Sequence, residues 1–271
     1  RNPENVLNSL QEHSAQSGYV YDRLYRNLFN REFFLQAYQN IYASQGNMTA
    51  GTDGKTIDAM SLERVDRLIA ALKDESYQPK PSRRTYIPKK NGKLRPLGIP
   101  SIDDKLVQEV VRMLLESIYE KHFEDTSHGF RPNKSCHTAL RMIQNRFTRC
   151  KWFVEGDIKG FFDNIDHNVM VGILRKRIKD ERFLRLIRKF LNAGYMEDCQ
   201  LHQSYSGTPQ GGIISPILAN IYLDQSTNNA EFKKRFDRGD KRAVNVEYRK
   251  LSDKRIRLKR KLAKAQSEDE K

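Results

Sequence analysis

Three aspartates lie close together in an otherwise basic chain. Asp157, Asp163 and Asp166 fall within residues 154–167, which we call the acidic segment. Carboxylates are hard oxygen ligands that suit magnesium, and a two-metal site uses such ligands to clamp the oxygens of a displacement at phosphorus. A structural interpretation is equally open, in which Asp163 and Asp166 cap the next helix and Asp157 pairs with a lysine. The aspartates alone do not decide between the two.

A glycine-rich stretch at residues 206–223 offers a second kind of chemistry. This glycine-rich segment begins Ser-Gly-Thr-Pro-Gln-Gly-Gly and continues into a helix that Ser215-Pro216 is predicted to start. Glycines let a backbone approach a ligand closely. A turn and a helix cap account for the glycines, but they do not explain why Gln210 stands between a proline and a glycine.

A third segment, residues 87–100, combines positive charge with a turn signal. Its central Asn-Gly dipeptide accepts the positive φ of a type I′ turn, and extended residues flank it on both sides. We therefore predict a β-hairpin, called the basic hairpin below. Lys89, Lys93 and Arg95 would grip phosphates as point charges or as a bidentate fork.

The elements that position these segments follow from the hydrophobic periods. Residues 151–158 alternate as a strand would, which places Asp157 at the end of that strand. Helical periodicity follows at 169–178 and 183–191. Further toward the N terminus, helices are predicted at 33–42 and 62–72 and, behind a capping-box-like Ser101, at 102–118. Strands interleaved with helices indicate a mixed α/β or α+β fold.

Composition narrows the class of partner. The chain has 271 residues, 49 Lys and Arg against 34 Asp and Glu, and a net charge of +15. Such a field attracts polyanions, so nucleic acid is the leading partner class. No apolar run approaches the length of a membrane span, and we expect a soluble intracellular protein without a membrane partner. The three cysteines show no zinc spacing, which argues against a structural metal site.

The C-terminal part is strongly basic. Residues 233–264 are dominated by Lys and Arg, with a rough heptad of apolar residues that Arg255 interrupts. A solvated helix or weak coiled coil and a nucleic-acid-binding arm are both compatible with this pattern.

Taken in order, the basic hairpin, the acidic segment and the glycine-rich segment resemble the fingers hairpin, motif A and motif B of group II intron reverse transcriptases. Residues 127–133, Ser-His-Gly-Phe-Arg-Pro-Asn, are similar to the segment that this family places between the first two. Residues 25–42 resemble its N-terminal helical region, so the resemblance covers roughly residues 20–224.

The resemblance implies roles for individual residues. Asp157 would bind magnesium as the catalytic carboxylate, and the backbone carbonyl of Ile158 would touch one of the two ions. Nucleotide contacts would come from five residues: Lys89, Arg95, Phe162, Gln210 and Gly211. Of these, Lys89 and Arg95 would hold the triphosphate, and Phe162 would exclude a 2′-hydroxyl. RNA contacts would come from Lys93, Arg131 and Lys134.

It also implies a fold and partners. We expect an α+β right-hand polymerase fragment, helix-rich with a basic β-hairpin and a palm sheet. Residues 1–60 would form an N-terminal helical extension, 61–150 the fingers, 151–224 a partial palm and 225–271 a basic helical extension or insertion. The partners would be group II intron RNA, an RNA template with a DNA primer, and deoxynucleoside triphosphates. The protein would assist splicing and retrohoming in a bacterial cytoplasm or an organelle, and a homodimer stays open.

One departure from the family pattern matters. The Tyr-x-Asp-Asp metal motif that the family carries after motif B is not found between Tyr222 and Lys271. We therefore interpret the sequence as a truncated chain that is catalytically incomplete by itself. A non-catalytic RNA-binding maturase-type scaffold is the rival interpretation, and retron or diversity-generating reverse transcriptases are alternatives among the enzymes.

Overall fold

The computed structural model describes residues 1–16, 18–90, 92–148, 152–153, 155–208, 211–227 and 245–269. The chain divides into two compact units, Arg1–Ser226 and Thr227–Lys271. The helices described up to residue 227 are α1 (Pro3–Ser14), α2 (Arg31–Tyr42), α3 (Leu62–Lys73), α4 (Ile102–Tyr119), α5 (Cys136–Arg146), α6 (His167–Arg175), α7 (Glu181–Asn192) and α8 (Ser215–Thr227). The strands are β1 (Ser82–Pro88), β2 (Leu94–Ile99), β3 (Tyr195–Glu197) and β4 (Gln200–His202).

Helix α4 is the centre of the larger unit and packs against α1 and α2. It begins where the sequence predicted, because the Ser101 hydroxyl accepts a hydrogen bond from the Asp104 N–H at 3.2 Å. Its predicted apolar face is buried, and burying one such leucine or valine contributes about 2 kcal/mol. The buried members of that face are Leu106, Val107, Val110, Val111, Leu114, Leu115 and Ile118.

A four-stranded mixed sheet lies beside these helices in the order β2-β1-β3-β4. Strands β1 and β2 form the predicted antiparallel hairpin, with Ile87 opposite Arg95. Strand β3 pairs in parallel with the start of β1, where Ser82 is opposite Tyr195, and in antiparallel with β4. The sheet therefore joins the basic hairpin to the chain that leads into the glycine-rich segment.

The α+β prediction is confirmed, and so are the predicted helices at α2, α3, α4, α6, α7 and α8. The predicted strand at 151–158 is wrong for the residues that are described there, which form no regular structure. A strand needs a hydrogen-bonded neighbour, and no described strand lies beside this stretch. The strand pair β3–β4 was not predicted.

The second unit contains helix α9 (Val246–Asp269). The helix carries nine Lys and Arg against four Asp and Glu, and its apolar residues Tyr248, Leu251 and Leu258 are all exposed. Among the described residues of the whole chain, no helix is long and apolar enough to cross a bilayer.

Candidate functional site

The acidic and glycine-rich segments, far apart in the sequence, are joined by backbone hydrogen bonds. The N–H of Gly207 donates to the carbonyl of Ile165 at 2.8 Å, and the N–H of Thr208 donates to the carbonyl of Phe162 at 2.7 Å. Phe162 belongs to a short 3₁₀ turn, Phe161–Asp163, that follows Asp157. The turn of one segment is thus fixed directly on the turn of the other.

Gly207 permits this contact because it has no side chain. Its φ is +82°, and a Cβ placed there would lie 2.6 Å from the carbonyl oxygen of Phe162 and 2.8 Å from the Cα of Asp163. Both neighbours are backbone atoms that cannot move aside cheaply. The position therefore requires glycine for two reasons, its left-handed backbone and the close approach.

The His167 ring also contacts the turn at Gly207. The ring is buried at 7% exposure. The Nε2 lies 2.7 Å from the carbonyl oxygen of Gly207, and Nδ1 lies 2.9 Å from the amide oxygen of Asn192 on α7. Asp166 caps α6 just before it by accepting hydrogen bonds from the N–H groups of Asn168 and Val169. Capping of α6 by Asp166, which is one part of the structural interpretation, is confirmed.

The glycine-rich segment also meets the base of the basic hairpin. Gly211 has a φ of +111°, and a Cβ there would lie 2.4 Å from the carbonyl oxygen of Gly98 and 2.8 Å from the Cδ1 of Leu97. Side chains two residues apart on a strand share a face, so Leu97 lies on the same face of β2 as Arg95. The face that carries Arg95 therefore continues to Gly211.

Gln108 of α4 holds the backbone immediately after Gly211. Its side-chain oxygen accepts hydrogen bonds from the N–H of Ile213 at 2.8 Å and from the N–H of Ile214 at 3.4 Å. Gln108 is 5% exposed, so the bonds are made away from water. This polar side chain on the buried face of α4 fixes the entry of the glycine-rich segment into α8.

The cationic residues of the hairpin lie at its exposed end. The side chains of Lys89 and Arg95 are exposed, and the N–H of Lys89 donates to the carbonyl of Lys93 at 2.7 Å, which closes the turn. Lys89 and Arg95 therefore lie near one end of a hairpin whose other end contacts Gly211.

The match to known families agrees with this arrangement. Residues 87–248 match the family described as reverse transcriptase (RNA-dependent DNA polymerase). The chain belongs to the reverse transcriptase family. The resemblance drawn from the three segments is confirmed.

Several proteins similar to this reverse transcriptase chain are encoded in introns. The chain is 49% identical over 267 residues to the group II intron-encoded protein LtrA of Lactococcus lactis subsp. cremoris, covering 97% of this chain and 45% of LtrA. It is 48% identical over 241 residues to a 91 kDa protein in the cob intron of Schizosaccharomyces pombe, covering 86% of this chain and 30% of that protein. The chain thus spans less than half the length of these relatives.

A solved structure shares the fold. A chain of the partial Cas6-RT-Cas1–Cas2 complex superimposes with a TM-score of 0.52 at 22% sequence identity, covering 77% of this chain and 35% of that one. At this identity the likeness shows the reverse transcriptase fold alone.

Asp157 and Ile158 lie in the least anchored part of the site. Residues 155–160 are all exposed, and Asp157 forms no salt bridge to the residues that the structure describes. The pairing of Asp157 with a lysine is therefore not observed there. The Asp157 carboxylate and the Ile158 carbonyl are hard oxygen donors of the kind Mg²⁺ takes.

Reverse transcriptases as a family use a divalent metal, and such a site needs more ligands than these two residues supply. Within the described ranges, no three His, Cys, Asp or Glu side chains come close enough together to hold a metal ion. The described residues therefore do not complete a metal site.

Two residues predicted to contact RNA have internal partners. The Arg131 side chain is 6% exposed and its guanidinium pairs with Glu120 at 2.9 Å. It also donates to the carbonyls of Glu124 and Ser127. A buried and fully bonded guanidinium holds its own loop together, and RNA contact by Arg131 stays a prediction. Lys134 is half-buried, and its Nζ donates to the carbonyl of Asp125 at 3.4 Å and lies 3.9 Å from the carboxylate of the same exposed residue.

The remaining predicted residues are placed as follows. Phe162 is half-buried, its ring 5.7 Å from that of Phe161. Lys93 is exposed at the hairpin turn. Gln210 lies outside the described residues.

Sequence reasoning missed Gln108 and His167 as supports of the site. A signal existed for Gln108, a polar residue within the apolar period of α4, but its partners lie 105 and 106 residues away in the sequence.

Proposed function

We propose that this chain supplies the fingers hairpin and part of the palm of an RNA-directed DNA polymerase that a group II intron encodes. The main support is the convergence of three segments on one place, with Gly207 on the turn of the acidic segment and Gly211 on the base of the basic hairpin. A polymerase site requires such a meeting, because it must align a nucleotide's phosphates with a metal-binding carboxylate. In this proposal residues 1–60 are the N-terminal extension, 61–150 the fingers, 151–224 the partial palm and 225–271 a basic extension.

Within that site each residue has a role. Asp157 and the carbonyl of Ile158 contribute part of a Mg²⁺ site, and the bound ion would neutralise charge on the reacting phosphate. Lys89 and Arg95 bind the triphosphate of the incoming deoxynucleotide through their exposed cationic groups. Phe162 lies under the sugar, and Gln210 with Gly211 forms the floor beneath the nucleotide.

Primer extension tests the proposal. The protein as its gene encodes it should extend a DNA primer on an RNA template when magnesium and deoxynucleotides are supplied. The 271-residue polypeptide alone should not, because its sequence contains no Tyr-x-Asp-Asp motif after residue 222 to complete the ligand set. Absence of extension by the gene product would contradict the polymerase assignment, and robust extension by the polypeptide alone would contradict the role given to the missing motif.

The proposed nucleic-acid partners are intron RNA and a template–primer duplex, bound in the compartment where the intron is transcribed. The net charge of +15 supports this, since phosphates bind distributed Lys and Arg with release of counterions. If about 5 to 8 phosphates are contacted, log affinity against log salt should slope by about −4 to −7. Filter binding at several salt concentrations measures this slope, and binding that does not change with salt would contradict it.

Helix α9 favours a second function that does not need the metal site. Its excess of Lys and Arg on an exposed helix suits an RNA-binding arm that assists splicing. Replacing Lys254, Arg257 and Lys261 by glutamine should flatten the salt slope, whereas Asp157→Asn should leave RNA affinity nearly unchanged. An unchanged slope after the triple replacement would move the RNA contacts to the larger unit.

A further inference from the structure

A cleft of about 380 Å³ lies beside the contact between the acidic and glycine-rich segments. Its walls include Arg84, Tyr195, Tyr205, Ser206 and Asp163, and no role has been given above to the first three. The volume falls in the range of about 300 to 1,000 Å³ that holds small ligands. A single nucleotide is therefore of a suitable size.

Two residues of the cleft wall, Arg84 and Tyr195, belong to a preassembled stack of three side chains. The guanidinium carbon of Arg84 lies 3.7 Å from the centre of the Tyr195 ring. On the adjacent strand His202 is directly opposite Tyr195, and the two rings stack with centroids 4.9 Å apart and an interplanar angle of 11°. Because β1, β3 and β4 each supply one member, the sheet itself fixes the stack.

Arg84 forms no salt bridge with the residues that the structure describes. The Nε of Arg84 is buried and has no hydrogen-bond partner among the residues that the structure describes. Other arginines near the core, such as Arg64 and Arg131, pair with carboxylates. An arginine that is held by stacking alone keeps its donors available for an anion such as phosphate.

A second aromatic ring stands at the mouth of the cleft. Tyr205 is 85% exposed, and its hydroxyl donates to the side-chain oxygen of Gln203 at 2.6 Å. The hydrogen bond restrains the ring while its faces stay in water. A restrained and exposed aromatic ring beside an unpaired arginine is the pairing by which proteins bind unpaired nucleotides, through base stacking and a phosphate contact.

We propose that this cleft binds one unpaired nucleotide of a single-stranded RNA, with its base stacked on Tyr205 and its phosphate held by Arg84. The proposal rests on the proposed function only in taking RNA as the ligand. Because Asp163 and Gly207 line the same cleft, a strand bound there passes directly beside the proposed polymerase site.

The base-stacking part is tested with Tyr205→Leu. Tyr42→Leu is the control, because Tyr42 is another exposed tyrosine, with 55% exposure, and does not line the cleft. The probe is a short single-stranded RNA, with a duplex RNA and an abasic oligonucleotide for comparison. Tyr205→Leu should weaken single-strand binding by about 5-fold or more and leave duplex and abasic binding unchanged. Equal losses for single strand and duplex, or no loss, would overturn the proposal.

The phosphate part is tested with Arg84→Met, and Arg67→Met on the exposed face of α3 removes the same charge elsewhere. Arg84→Met should flatten the salt slope for single-stranded RNA by about 0.7, while Arg84→Lys, which keeps the charge, should retain it. Equal flattening by the Arg84→Met and Arg67→Met variants would overturn the Arg84 contact. Thermal unfolding checks that each variant is folded. If Arg84→Met does not fold, the Tyr205→Leu variant still tests the proposal.

Binding is measured without magnesium or deoxynucleotides, so this result is independent of primer extension. If the gene product does not extend a primer but binds single-stranded RNA as expected, the polymerase proposal fails and the nucleotide-binding proposal for the cleft stands. If the gene product extends a primer normally but Tyr205→Leu does not weaken single-strand binding, the nucleotide-binding proposal fails and the polymerase proposal stands.

Discussion

The two halves of the proposed polymerase site are held very differently. The glycine-rich segment is fixed from three sides, by the carbonyls of Phe162 and Ile165, by the His167 ring and by the Gln108 amide. Residues 155–160, which carry Asp157, are exposed and form no regular structure. Contacts among the described residues therefore position the glycine-rich half of the site, whereas the stretch that carries Asp157 is exposed.

The difference shows what positions a functional residue. Gly207 and Gly211 have fixed positions because buried backbone N–H and C=O groups beside them need hydrogen-bond partners and find them. Asp157 was expected at the end of a strand, and a strand forms only beside another strand. The carboxylates that the family resemblance expects from a Tyr-x-Asp-Asp motif are not found in this sequence after residue 222.

The largest effect expected from this contrast comes from two glycine replacements. Gly207→Ala should lower the free energy of unfolding by about 3 kcal/mol, because a Cβ at positive φ would overlap the backbone of Phe162 and Asp163. Gly156→Ala, next to Asp157, should change it by less than about 0.5 kcal/mol, since nothing lies within 4 Å of a Cβ there. Urea unfolding measures both free energies. Similar losses in the two variants would contradict the claim that the two segments are held differently.

A smaller effect is expected at Gln108. Gln108→Leu should cost about 2 kcal/mol, because it leaves the N–H groups of Ile213 and Ile214 without their acceptor. Hydrogen exchange should become faster at these two amides and stay unchanged in residues 155–160. Gln39→Leu on the exposed face of α2 is the matched control. Unchanged protection at Ile213 in the Gln108→Leu variant would show that other contacts hold the turn.

The smallest effect concerns the pH dependence of stability and compares a half-buried histidine, His122, with an exposed one, His137. Burial, together with the charge of Arg177, lowers the pKa of His122 from 6.5. Folding therefore favours the neutral ring, so stability is constant above pH 6.5 and falls as the pH drops through the lowered pKa. His122→Gln should flatten this fall and His137→Gln, at an exposed position, should not. Thermal unfolding between pH 5 and 8 distinguishes them, and identical pH profiles for the two variants would contradict the assignment.

What the sequence predicted correctly was local. The basic hairpin followed from a central turn dipeptide, and α4 followed from the Ser101 cap and an apolar period that the core then buried. The strand pair β3–β4 was missed because its two-residue turn, Asp198-Cys199, has positive φ at residues that do not usually signal it.

The errors and omissions involve partners distant in the sequence. Asp157 was placed on a strand from alternation alone, with no neighbour to pair with. Gln108 acts on backbone more than a hundred residues later.

The most direct test of the account is primer extension by the protein as its gene encodes it, carrying Asp157→Ala or Asp58→Ala. Asp58 is an exposed aspartate in the Ile57–Ala59 turn and serves as the matched control. Asp157→Ala should abolish extension on an RNA template and change the free energy of unfolding by less than about 0.5 kcal/mol, while Asp58→Ala keeps full activity. Extension by the Asp157→Ala protein at the wild-type rate, with an unchanged magnesium requirement, would contradict the account.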